Sequence, residues 1–153
     1  MDETRTLSKS AEEKRDELLA VAVMAELGRD IDERTIKGIA SEIFCDPDYA
    51  LMAADYESVL MLEIRGKTIA HVCAFASEDA ALKIIEEHPK LRGVLSKNLS
   101  PVAFYAAGHP KLRPLIAKIA RLNPELRSPN AYGEGIDTVR FNTDEANGPI
   151  KRP

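Results

Sequence analysis

The residues of this chain best suited to chemistry are three histidines and two cysteines. His71 stands two positions before Cys73. On a helix, residues two apart point to different faces, so this pair is not a ready metal site. Cys45 and Cys73 form no Cys-x-x-Cys arrangement, and each falls inside an apolar helical pattern, which predicts buried, reduced thiols. His88 and His109 each precede a proline at a helix boundary, and nothing marks either as a general base. No serine or cysteine has the sharp-turn sequence of an activated nucleophile. Tyr132-Gly133-Glu134-Gly135 has two glycines but lacks the Lys-Ser/Thr and the following amphipathic helix of a phosphate-cradling loop. The pairs Glu12-Glu13 and Glu86-Glu87 fall on helix surfaces, where solvation explains them. These residues predict no catalytic, metal or cofactor site, and hence no enzyme.

The totals point the same way. A chain of 153 residues is of one-domain size and can bury a core without a disulfide or metal staple. Aromatic residues make up 5% and Trp is absent, so the core must be built from Ala, Leu, Ile and Val, a mixture that favours helix. Met1 to Ala11 is polar and charged, and no apolar run approaches the roughly 20 residues of a membrane span. A cytoplasmic protein that does not contact membranes is expected. The net charge is −4, yet residues 88–124 hold seven bases and no acid. That stretch could meet an acidic ligand or nucleic acid, or it could be solvated outer helix positions.

The elements that must position these residues follow from caps and periodicity. Ser10 with Glu13 has capping-box spacing, and Leu18, Leu19, Ala22, Val23 and Leu27 continue at helical spacing until Gly28 stops the helix. Asp32 caps a second helix with the stripe Ile36, Ile39, Ala40, Ile43 and Phe44. Asp46-Pro47 starts a short helix to about Ala54, and the connection from Asp55 to Lys67 holds Arg65-Gly66-Lys67 as a tight turn. Thr68 and Ser77 cap the next two helices, over Ile69 to Ala76 and onward to the break at His88-Pro89. Asn98 suits a left-handed position, Ser100-Pro101 reads as cap and first helical residue, and Val102 to Ala107 is the next helix. A longer helix follows His109-Pro110, regular from about Arg113 because of Pro114, and ends at Asn123-Pro124. From Ser128 the composition turns to Gly, Pro, Asn and Asp, which predicts an irregular arm, with one short strand at Thr138 to Phe141.

Thr35, Thr68 and Ser100 lie 33 and 32 residues apart, each a hydroxyl at the start of an apolar helix, and the same shift sets Gly66 over Asn98 and Ala74 over Ala106. His88-Pro89-Lys90-Leu91 recurs as His109-Pro110-Lys111-Leu112 and, more loosely, as Asn123-Pro124-Glu125-Leu126. A helix pair of this length cannot bury its stripe alone, so neighbouring pairs must stack.

At Gly66-Lys67-Thr68-Ile69-Ala70-His71-Val72-Cys73-Ala74 the chain resembles the ankyrin family's Gly-x-Thr-Pro-Leu-His-x-Ala-Ala segment, and more closely its divergent bacterial repeats reading Gly-x-Thr-Val-Ala-His. Ser100-Pro101-Val102 and Ala106-Ala107-Gly108-His109 resemble other parts of the same repeat. The resemblance implies an all-α fold: a short α-solenoid of about three helix hairpins over residues 35–127, an N-terminal capping helix and turn over 1–34, and an irregular tail over 128–153. Another helical repeat, of the HEAT or leucine-rich-variant kind, is the competing architecture, since Pro-Lys-Leu-Arg-x-x-Leu-Ser-x-Asn at 89–98 has some likeness to it. The resemblance also implies that His71 hydrogen-bonds backbone and a nearby hydroxyl across the inter-repeat turn. It further implies a protein-interaction scaffold whose turn tips and one helix row grip an as yet unidentified protein partner. Arg65, Lys67, Lys97, Lys111 and Arg113 are then the candidate partner-binding residues. Binding of nucleic acid or another acidic ligand through 88–124, and a structural role in a larger assembly with 128–153 as an arm, remain the alternatives.

Overall fold

The computed structural model describes residues 10–138. It is mostly helical, with one two-stranded ribbon. The helices are α1 (Ala11–Glu26), α2 (Glu33–Cys45), α3 (Pro47–Ala53), α4 (Glu57–Leu60), α5 (Ile69–Ala76), α6 (Glu78–Glu87), α7 (Val102–Ala107) and α8 (Arg113–Leu122). The strands are β1 (Glu63–Ile64) and β2 (Lys67–Thr68), antiparallel with Glu63 opposite Thr68 and Ile64 opposite Lys67. Three 3-10 turns, at Pro89–Leu91, Pro110–Leu112 and Pro124–Arg127, follow the x-Pro-x-Leu pattern, and each buries its leucine. Among the described residues no helix is long and apolar enough to cross a membrane.

The predicted caps account for most helix starts. The Ser10 side chain accepts from the Glu13 amide while the Glu13 carboxylate accepts from the Ser10 amide, which satisfies two donors at the start of α1. Asp32, Asp46, Thr68 and Ser77 likewise accept from amides in the first turns of α2, α3, α5 and α6. The start of α2 at Asp32 is as expected, but two of the three hydroxyls spaced 33 and 32 residues apart do not act as caps. Thr35 is not a cap: Asp32 takes that role, and Thr35 is a helical residue whose amide donates to the Asp32 carboxylate at 2.8 Å. Ser100 is not a cap either, because its hydroxyl accepts from Asn130 Nδ2 at 2.9 Å and Pro101 occupies the N-cap position of α7. Thr35, Thr68 and Ser100 are therefore not equivalent residues, although the helices they introduce pack in sequence.

Consecutive helices form the pairs α2–α3, α5–α6 and α7–α8; α2 packs on α5, α5 on α7, and α3 on α6. Close approach is possible because the facing residues are small: Ala50, Ala53, Ala70, Ala74, Ala80, Ala81, Ala103 and Ala106 are all buried. Ile69 through Ala74 of α5 are buried without a break, so the first six residues of this helix stand at the centre of the core. Ile43, Leu60, Ile84, Ile85, Leu91, Val102 and Ile116 fill the space around it. Helix α1 covers α3 and α4 and is tied there by Lys14, which pairs with Glu42 and Asp46. Its apolar stripe is narrower than expected. Leu18 and Ala22 are buried, whereas Leu19, Val23 and Leu27 are exposed because, among the described residues, α1 meets neighbours on one side only.

Cys73 is buried, its Sγ directed at the Ala50 carbonyl 3.7 Å away, and burial pushes its thiol pKa up. Cys45 corrects the expectation, being exposed at the last residue of α2.

Candidate interaction face

The three turns that precede or follow the paired helices stack directly on one another. The first is the β1–β2 connection, where Arg65 (φ 52°) and Gly66 (φ 83°) form a two-residue loop with both positions left-handed, the conformation that matches the strand twist. The second runs from Ser96 to Ser100: the Ser96 amide donates to the Ser100 carbonyl at 2.9 Å and the Leu99 amide to the Ser96 carbonyl at 2.9 Å. This loop has three residues. Its third position must then be left-handed, so Leu99 (φ 66°) and not Asn98 takes that conformation, at a steric cost a glycine or asparagine would not carry. Ser96 Oγ holds the loop from inside by accepting from the amides of Asn98 and Ser100.

A third turn lies where the sequence predicts an arm. The Asn130 amide donates to the Glu134 carbonyl at 2.7 Å, the Gly133 amide donates to the Asn130 carbonyl at 3.0 Å, and Gly133 has φ 79°. Asn130 Oδ1 accepts from the amides of Tyr132 and Glu134, as Ser96 Oγ does in the turn before. Asn130–Glu134 thus repeats Ser96–Ser100 bond for bond. The turns are joined by matching links. The Lys97 amide donates to the Gly66 carbonyl at 2.6 Å, and the Ala131 amide donates to the Asn98 carbonyl at 2.8 Å. Ile136 is buried just beyond, and Arg127 closes on Asp137 at 2.5 and 2.6 Å. Of the strand expected at Thr138 to Phe141, residues 139–141 lie outside the described residues. Asn130→Ala removes one buried and two part-buried hydrogen bonds and is expected to cost about 2 kcal/mol in urea unfolding. A change below about 0.5 kcal/mol, typical of exposed positions, would mark the segment as a dispensable arm.

His71 ties the first turn to the second. Its Nδ1 accepts from the Thr68 amide at 3.0 Å and from the Thr68 hydroxyl at 2.8 Å, while the Thr68 hydroxyl oxygen accepts from the His71 amide. Nε2 therefore carries the proton, shared between the carbonyls of Val94 (3.0 Å) and Ser100 (3.1 Å). Burial, and to a smaller degree the charge of Lys67, lowers the imidazole pKa from its usual 6.5, against the two backbone bonds that raise it. The other histidines are also used on backbone. His88 Nε2 lies 2.7 Å from the Ala54 carbonyl, and His109 Nε2 lies 2.6 Å from that of Ala74. In each His-Pro-Lys-Leu-Arg segment the arginine Nε then donates to the end of the preceding helix, Arg92 to Ile85 and Arg113 to Ala107.

The candidate contact residues consequently separate. Arg65, Lys67 and Lys97 come together at the first two turns, with the Lys97 side chain lying across Gly66. Lys111 and Arg113 lie beyond the C-terminal end of α7, away from the turns, and Arg113 is bonded to Ala107. The remaining bases of 88–124 are also distributed: Lys90 pairs with Glu57 at 3.3 Å, and Lys118 and Arg121 belong to α8.

Two elements unmarked in the sequence complete the face at Arg65 and Lys67. A cavity of about 250 Å³ opens between α2 and the β1–β2 turn, lined by Lys37, Ala40, Ser41, Phe44, Ile64, Arg65, Lys67 and Val72. Phe44 is 56% exposed and Phe75 is 42% exposed, although helical spacing assigned Phe44 to the core stripe. Phe44, Phe75 and Tyr105 run from α2 through α5 to α7 in edge-to-face contact, with centroids 6.2 and 6.1 Å apart. Among the described residues, Lys37, Arg65, Lys67 and Lys97 make no ion pair. No group of three or more His, Cys, Asp or Glu residues there could hold a metal ion. Comparison of the chain with protein-family models, with curated proteins and with solved structures finds no match.

Proposed function

We propose that this chain is a protein-contact module without catalytic activity, a short α-solenoid of ankyrin-like helix hairpins that acts as a scaffold or adaptor. The observation that carries the reading is the stack of turns. Lys97 bonded to Gly66, and Ala131 bonded to Asn98, make three successive loop tips one continuous edge beside the helix pairs. Such an edge is rigid because each tip is fixed by the next, and rigid display lowers the ordering cost of capturing a partner. The histidines support the same reading, since each is used on backbone carbonyls. The packing order α2, α5, α7 fits helix pairs laid side by side, each shielding its neighbour.

Site-specific photocrosslinking tests this role. The full chain carrying p-benzoylphenylalanine in place of Arg65 or Lys97 is expected to form discrete protein adducts in a lysate of the source cells, and the same residue in place of Lys118 is expected to form none. Absence of adducts from both turn positions, or adducts from Lys118 alone, would refute a contact role for this edge.

A further inference from the structure

We propose that the groove between α2 and the β1–β2 turn receives an acidic segment of a partner protein, with one aliphatic or aromatic side chain seated against Phe44 and carboxylates beside it meeting Lys37, Arg65, Lys67 and Lys97. The inference rests on the contact-module reading and adds to it the chemistry of the partner. Charge complementarity is the first argument. Three bases and no acid line the groove, Lys97 reaches across Gly66 alongside, and none of the four is paired among the described residues. In a chain of net charge −4, four unpaired cations at one place form a local field that favours carboxylates and disfavours basic segments.

Size and surface supply the second argument. A cavity of about 250 Å³ is smaller than the roughly 300–1,000 Å³ usual for a small-molecule site, yet it accommodates one large side chain. Its floor is apolar at Phe44, Ile64 and Val72, and the exposed Phe44 ring is braced edge-on by Phe75. A well-placed aromatic next to cations is the composition of an anchor pocket, in which one inserted side chain carries most of the affinity and the surrounding charges set specificity. A nucleic-acid occupant fits less well, because a polyanion needs a long row of cations and the other bases of 88–124 lie on separate elements.

The test is fluorescence anisotropy of the full chain with the labelled heptapeptide Glu-Asp-Glu-Phe-Glu-Asp-Glu at low salt. Saturable binding is expected, weakened about tenfold by Lys67→Glu, by Phe44→Ala and by serine in place of the peptide's phenylalanine. Lys118→Glu, on α8, is expected to leave it unchanged. Circular dichroism melts confirm that each variant is folded, since both Lys67 and Phe44 reach solvent. No saturable binding overturns the proposal, as does indifference to the peptide's phenylalanine, equal loss with Lys118→Glu, or tighter binding of a labelled twenty-nucleotide oligo(dT). If the peptide fails while adducts at Arg65 and Lys97 persist, the acidic occupant is wrong and the contact role stands. If both fail, both fall.

Discussion

Replacing His71 with alanine is expected to destabilise the folded chain by about 3–4 kcal/mol, the loss due when a buried side chain bonded on both sides is removed. The imidazole is 1% exposed and links three places at once: the cap of α5 through Thr68, and the Val94 and Ser100 carbonyls that flank the second turn. Its removal leaves both carbonyls short of a buried donor and opens a void against Tyr105, whose ring meets the imidazole edge-on at 5.6 Å. Urea unfolding of wild type and variant measures the difference. The same geometry fixes a pH dependence. Nδ1 faces the Thr68 amide, so a proton added there confronts a donor, and the folded pKa lies below the ordinary 6.5, with burial the larger cause. The folded state therefore binds fewer protons than the unfolded chain. The contribution of His71 is complete above pH 6.5 and is lost as the pH falls toward the folded pKa. Wild type should lose more stability than His71→Gln between pH 7 and pH 5. An equal loss in both would mean that this ring does not titrate against the fold.

Gly66→Ala is expected to cost about 2–3 kcal/mol, more than the 1–2 kcal/mol of a left-handed alanine alone. Gly66 has φ +83°, and a Cβ added there would lie 2.6 Å from Lys97 Cδ and 2.9 Å from Lys97 Cβ. The far end of a lysine moves easily; its Cβ does not, because it is fixed to the backbone that donates to the Gly66 carbonyl. The substitution must therefore push the second turn off the first. Gly38 supplies the contrast. It lies within α2, nothing stands within 4 Å of the Cβ an alanine would add, and Gly38→Ala is expected to stabilise by about 0.5–1 kcal/mol. Thermal and urea melts of the two variants should move in opposite directions. A shared sign would show that contact between the turns does not limit position 66.

Helix starts were legible because a cap is local chemistry. Ser10, Asp32, Asp46, Thr68 and Ser77 each sit two or three residues before the amide they satisfy, so residue type and spacing contain the whole interaction. The left-handed turn at Gly66 was legible for the same reason. Leu99 was not, since loop length and not residue preference decides which position turns left-handed, and that length depends on where strand pairing stops. The turn at Asn130–Glu134 escaped because its glycine, asparagine and exposed tyrosine have the composition of a linker. Its bonds to Ser100 and Asn98 reach across thirty residues or more. At the proposed contact face, Arg65, Lys67 and Lys97 could be picked out as bases at turns. Lys37 and Phe44 could not, because periodicity shows which face of α2 is apolar but not where the neighbouring element ends and leaves a ring uncovered.

Amide hydrogen exchange at Lys97 and Ala131 tests most directly whether the turns are locked to one another. Lys97 and Ala131 are themselves exposed at their loop tips, and an unlinked loop would exchange their amides within the dead time of the measurement. Bonded to Gly66 and Asn98, they are expected to be slowed at least about a hundredfold, and Gly66→Ala should release Lys97 first. Unprotected exchange at both amides in the wild-type chain would contradict the stacked edge on which the proposed contact face is built.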